Sequence, residues 1–224
     1  MHIEKYIEMQ SSIFWRGNPY IQYNEVVNNI ISILSSYFKF SEPIYIPIPS
    51  NMDPQIPRVQ ISGQQLQDNG VEIGISISNI SVTMSINAID KDSPTLVEFF
   101  LESCKLVSLG LISFGSSFNR MGIVLRGYNN VHNPTLWISD KYLKNDIAKE
   151  GLVEAGVQLV YRFNEAQTTY NDLTNYRLGI NNITNAEILL IEKDINITDG
   201  SIIELNMTNV IELISLVKRK IHLS

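Results

Sequence analysis

Histidine and cysteine are nearly missing from this chain: among 224 residues there are three histidines and a single cysteine, Cys104. One cysteine excludes an intramolecular disulfide and any cysteine-rich zinc site. His2, His132 and His222 nowhere stand at a spacing that lets two of them share a metal ion, so no metal site and no cofactor is expected. Cys104 lies on the apolar stripe of a helix and reads as a core residue packing as a small hydrophobe. A glycine-rich phosphate loop is also lacking, because Gly110-Leu-Ile-Ser-Phe-Gly115 matches neither a dinucleotide nor a mononucleotide fingerprint.

Positive charge is scarce. Lysine and arginine number 17 against 23 acidic residues, a formal net charge of −6, which disfavours nucleic acid and anionic lipid as partners of the surface as a whole. No apolar run reaches the roughly 18–20 residues that a membrane helix requires. Residues 1–14 interrupt any signal-type core with Glu4, Lys5, Glu8 and Gln10, so the expected location is the cytoplasm.

What the chain does have is hydrophobic patterning, with 44% hydrophobic residues. Val26, Val27, Ile30, Ile31, Leu34, Tyr37 and Phe38 recur at helical spacing after Asn24, a capping residue type. Five prolines between Glu42 and Pro57 then exclude helix and central strand. Val71, Ile73, Ile75 and Ile77, followed by Ile80, Val82, Met84 and Ile86, alternate with small polar residues and predict two antiparallel strands joined near Ser78-Asn79, with a further strand at Arg58–Ser62.

Asp92-Ser93-Pro94 opens a second helix whose buried face carries Leu96, Phe100, Cys104, Val107 and Leu111, ended by Gly110 or Gly115. Arg120–Tyr128 alternates as a strand. A polar helix is predicted over Ser139–Glu150, strands over Val157–Phe163, Tyr176–Ile180, Glu187–Ile197 and Ile202–Leu205, and a last helix capped by Thr208. The expected class is α+β: antiparallel sheets with amphipathic helices packed on one face. Strand, short turn and helix close both 1–130 and 131–224, the pattern of two similar halves; one single domain is the alternative.

Most polar motifs have an ordinary structural account. Asp194 to Gly200 with Glu204 misses the calcium-loop register and reads as a hairpin turn. Asp90, Asp92, Glu98 and Glu102 oppose a helix dipole, and Lys218, Arg219 and Lys220 complement the other end of one. Arg120, Arg126 and Tyr128, spaced by the strand period on one side of Arg120–Tyr128, form the candidate binding set, since guanidinium and phenol groups are enriched at interfaces. Met121, Ile123 and Leu125 anchor the opposite side.

Pro57-Arg58-Val59-Gln60, the hairpin and helix after it, and Arg120-Met-Gly-Ile-Val-Leu-Arg126-Gly127-Tyr128-Asn129 resemble a sporadically distributed bacterial family of uncharacterised proteins over residues 55–130. Gly127, inserted before the Tyr-Asn pair, departs from the family's strand. The resemblance implies no catalytic residue, and implies an association with mobile elements or phage conflict. The expected function is therefore non-enzymatic protein binding, as an inhibitor or accessory factor in bacteria–phage conflict. A nucleic-acid module using Arg120, Arg126 and Lys218-Arg219-Lys220 is the first alternative, and an enzyme using His132 as general base is the second.

Overall fold

Alternation of apolar and polar residues is strongest between Val71 and Ile86, and there the computed structural model places two strands of one large antiparallel sheet. It describes residues 3–17, 19–49, 51–67, 70–91, 94–143, 152–165 and 167–222. In chain order the elements are β1 (Lys5–Trp15), α1 (Tyr23–Leu34), β2 (Phe38–Phe40), β3 (Ile44–Tyr45), β4 (Val59–Gln65), β5 (Glu72–Ile77), β6 (Ser81–Lys91), α2 (Pro94–Ser113), β7 (Phe118–Asn129), α3 (Pro134–Tyr142), β8 (Gly156–Glu165), β9 (Thr168–Ile180), β10 (Glu187–Ile197) and α4 (Met207–His222). All ten strands form one sheet in the order β2-β4-β5-β6-β1-β7-β10-β9-β8, with β3 also on β4. The class is α+β, and the sheet runs unbroken from residues before 130 to residues after it through the β1–β7 and β7–β10 ladders.

The turn between β5 and β6 is built by Ser78, whose hydroxyl accepts from the amides of Ile80 (3.2 Å) and Ser81 (3.1 Å). Serine suits this position because its hydroxyl replaces a backbone acceptor in a tight turn. Gly115 ends α2: its φ of 84° is left-handed, its amide donates to Ile112 O and the Ser116 amide to Leu111 O, each at 3.0 Å, the paired bonds of a glycine-terminated helix. Gly110 stays inside α2, where a β-carbon would lie 2.3 Å from Ile33 Cδ1 of α1. Its bareness lets the two helices approach.

Several helix limits differ from the sequence reading, for local reasons. The first helix starts at Tyr23 after Gln22, which makes no side-chain cap, and ends at Leu34; Phe38 remains buried, but as the first residue of β2. The polar helix lies earlier than Ser139–Glu150: Asn133 accepts from the Leu136 amide at 2.9 Å and Pro134 occupies the first turn, a stronger start than Ser139, which is fully buried within α3. Residues 144–150 of that expectation lie outside the described residues. Asn206, not Thr208, caps α4, through a reciprocal pair in which the Asn209 amide donates to Asn206 Oδ1 (3.1 Å) and the Asn206 amide to Asn209 Oδ1 (3.2 Å). Residues 202–205 form no strand; their backbone is tied instead by the Leu205 amide to Phe118 O at 2.7 Å.

β1, a strand the sequence reading did not place, is the central one. Directly opposite residues of antiparallel strands share a face, and the registers align Ile61, Ile75, Met84, Ser11, Ile123, Ile195 and Asp172 across the sheet. Nearly all of that row is buried, together with Met9, Ile13, Met121 and Leu125. α2 packs over β1 and β6, α1 against α2, α4 on β10 and against α2, and α3 on β8, β9 and β10. Phe100, Leu101, Cys104 and Leu111 of α2, each about 1% exposed or less, enter the same core as Met9 and Met121. Burial of side chains of this size is worth about 1.5–3 kcal/mol each.

Candidate functional site: the polar face of the sheet

Every second residue of the strands points away from that core. One row reads Gln158, Asn175, Glu192, Arg126, Glu8, Asn87, Glu72 and Gln64 across eight strands. The row beside it carries Val160, Leu173, Asp194, Val124, Gln10, Ser85, Gly74 and Ser62. These side chains are half-buried or exposed. Toward β2 the short residues Ser62 and Gly74 leave a trough of about 570 Å³ bordered by Gln64, Glu72 and Asn87.

Arg126 is the electrostatic centre of this face. Its Nε donates to Glu192 Oε2 at 2.6 Å and one terminal nitrogen to Glu8 Oε2 at 2.7 Å and Gln10 Oε1 at 3.4 Å. Burial works against its charge, yet the hydrogen bonds it donates to Glu192 and Glu8, with the charges of those carboxylates, outweigh burial and raise its pKa above the usual arginine value. Since Arg126 is 36% exposed at the side chain, the cluster orders the face more than it stabilises the fold. Arg120 lies over the Phe14 ring with its guanidinium carbon 4.1 Å from the centroid, and its Nε is buried with no hydrogen-bond partner among the described residues.

Tyr128 shares the register of Arg126 but does not project: it is only 5% exposed, and its hydroxyl accepts from Asn181 Nδ2 at 3.3 Å. The candidate set of Arg120, Arg126 and Tyr128 thus divides. Two guanidinium groups sit at the surface and the phenol lies in the packing at the end of β7. Met121, Ile123 and Leu125 are each 1% exposed or less. The face also contains polar residues that sequence reasoning missed, above all Glu8, Gln10 and Ser12 on β1; the alternation of Met9, Ser11, Ile13 and Trp15 was the signal that could have revealed them.

A second network runs beside the first. Arg162 Nε donates to Asn171 Oδ1 (3.0 Å), Asn171 Nδ2 to Asn196 Oδ1 (3.2 Å), and Asn196 Nδ2 to Asp194 Oδ1 (3.0 Å). Burial pushes the Asp194 carboxyl above its ordinary 3.8, and Glu192 adds to the rise, while the bond from Asn196 and the charges of Arg120 and Arg126 oppose it. With its folded pKa above the unfolded one, Asp194 binds its proton more tightly in the folded protein. Its contribution to stability therefore falls as pH rises from 3.8 through the folded value, and the penalty is complete at neutral pH. Asp194→Asn, which keeps an acceptor for Asn196, is expected to be more stable than the parent at pH 7, the difference vanishing below about pH 3. Urea melts of both proteins across pH 3–7 measure it; an equal or lower stability of the variant at pH 7 refutes the assignment.

The remaining candidates lie elsewhere. Cys104 is buried and its thiol pushed up by burial, so it is a poor nucleophile. His132 is exposed between β7 and α3. Arg219 pairs with Glu165 at 2.5 Å and Lys220 with Asp172 at 3.0 Å; Asp172 belongs to the core-facing row, so these cations stand on the other side of the sheet from Arg120 and Arg126. Among the described residues no three His, Cys, Asp or Glu side chains are grouped to hold a metal ion, and no helix is long and apolar enough to cross a membrane. Compared with protein-family models and with curated proteins, the chain matches none.

Proposed function

We propose that this is a non-enzymatic protein-binding protein whose contact surface is the polar sheet face around Arg120 and Arg126, with no cofactor. The observation that carries the reading is the charge pattern of that face. Arg120, Arg126, Arg162 and Arg177 alternate with Glu8, Glu72, Glu192 and Asp194 over rows of Gln, Asn, Ser and Thr. Mixed signs on a rigid, hydrogen-bonded support favour a partner that itself carries both signs, and a regular sheet holds such groups with little entropy left to lose. Tyr128 acts from beneath, by packing the end of β7. In the same reading the four helices all cover the opposite face, and the chain is two similar halves divided before β7 rather than after residue 130; the matching order of strand, helix, strands, helix in β1 to α2 and in β7 to α4 supports this. A cytoplasmic inhibitor or accessory role in bacteria–phage conflict is the biological setting that fits a binder without catalytic machinery.

A nucleic-acid module is the competing reading. Sheet faces do bind duplexes, but phosphate contacts need unopposed cations, and Arg126 is neutralised by two glutamates while Lys220 and Arg219 face away. The experiment is co-purification from the native host with the tagged parent and with Arg120→Ala/Arg126→Ala, which removes both guanidinium groups of the face and leaves the buried Met121, Ile123 and Leu125 in place. A stoichiometric protein partner retained by the parent and lost by the variant is expected. Salt-dependent binding of DNA or RNA by the isolated protein, abolished by the same variant, overturns the proposal.

A further inference from the structure

The two ends of the sheet are built differently. At one end β2 has three residues and β3 two, set beside Pro43, Pro47 and Pro49; short strands and prolines are the devices by which sheet edges avoid further pairing. At the other end β8 runs for ten residues, GVQLVYRFNE, without proline or lysine. It is paired to β9 in ten consecutive steps with no register shift, from Gly156 opposite Arg177 to Glu165 opposite Thr168. Its outward amides and carbonyls have no hydrogen-bond partner among the described residues. Apolar side chains reach this edge: Val160 is 57% and Tyr161 58% exposed, while Leu159 and Phe163 beside them pack against the core.

A straight, unguarded edge of this kind demands another strand. The geometry points to a second copy of this chain, paired antiparallel through β8 about a two-fold axis normal to the sheet at Tyr161. Such an axis keeps each face continuous, so residues opposite one another must belong to the same face. Centred at Tyr161, it sets the two phenol rings side by side, places Phe163 opposite the second copy's Leu159, and lays the Arg162 stem across the second copy's Val160. Aromatic and aliphatic pairs across strands are favourable by about 0.2–1 kcal/mol each. Moving the axis one residue further, to Arg162, would put guanidinium against guanidinium, which is unfavourable. The polar faces of both copies would then lie on one side, doubling the surface that the proposed partner meets.

The test combines mass and proximity. Sedimentation equilibrium at about 100 µM should give twice the 25.4 kDa chain mass. Val160→Lys/Tyr161→Lys, both at exposed positions, should weaken self-association at least about ten-fold without altering the melting temperature of the monomer. Because Cys104 is buried, Tyr161→Cys supplies the accessible thiol, and under mild oxidation it should form an inter-chain disulfide that Lys39→Cys, at the opposite edge, does not. A monomer at that concentration, a dimer that survives the lysine pair, or a Tyr161→Cys variant that cross-links no more than Lys39→Cys overturns the inference. None of these outcomes depends on finding the partner of the polar face.

Discussion

Asp172→Ala is expected to destabilise the protein by about 3–5 kcal/mol, the cost of leaving a buried charge without its counterion. The side chain of Asp172 is 3% exposed, on the core-facing row of β9, in contact with the Lys193 ammonium and 3.0 Å from that of Lys220. Lys193, whose Nζ also donates to Thr174 Oγ1 at 2.9 Å, is 19% exposed at its side chain and has little water to turn to. Lys220, at 37% and 5.0 Å from the Phe163 ring centroid, can swing outward. Lys193 therefore dominates the loss. For a chain of this length the change corresponds to roughly 6–20 °C in Tm. Asp172→Leu/Lys193→Met removes both charges and is expected to recover most of the stability, since well-packed apolar pairs replace buried ion pairs at little cost. Urea denaturation of parent, single and double variants decides; a single variant within about 1 kcal/mol of the parent, or a double variant as weak as the single, shows that the pair does not hold β9 to β10.

The second large effect is expected at Gly127. A β-carbon there would lie 2.2 Å from the Lys5 carbonyl oxygen and 2.3 Å from Ile3 Cγ2. The first of these is backbone and cannot rotate away, so the strands themselves must part. This is where the β1–β7 ladder changes register, Gly127 facing Tyr6 and Arg126 already facing Glu8. The extra residue of β1 bends its start toward β7, and only glycine leaves room for it. Gly127→Ala should cost about 2–3 kcal/mol and Gly127→Val more, with amides of Lys5 and Tyr6 losing hydrogen-exchange protection first. Gly156→Ala is the control, because the nearest neighbour of its β-carbon would be the Tyr176 carbonyl oxygen at 3.6 Å, ordinary contact. If Gly127→Ala is as stable as Gly156→Ala, the close approach of β1 and β7 is not what requires glycine. The same constraint accounts for the glycine that separates Arg126 from Tyr128-Asn129.

The residues themselves determined the helices and strands whose pattern is complete within one segment. β5 and β6 follow from two runs of alternating aliphatic residues about Ser78, α2 from a stripe ended by Gly115, and α4 from its apolar spacing, because side-chain periodicity and turn chemistry are local properties. What joins segments was decided only in three dimensions. β1 occupies the centre of the sheet because β6 and β7, more than 65 residues further along, flank it, and no property of residues 5–15 names those neighbours. Arg126 stands where Arg120–Tyr128 alternation puts it, on the polar side, but its state is set by Glu8, 118 positions earlier, and Glu192, 66 positions later. Tyr128 has the parity of an exposed residue and is nevertheless buried, since the end of β7 is packed against Asn181 and the bulged start of β1. A strand's period assigns each side chain to a face; which neighbours then cover that face is a matter of distant chain brought close, and it is there that the polar face of the sheet was made.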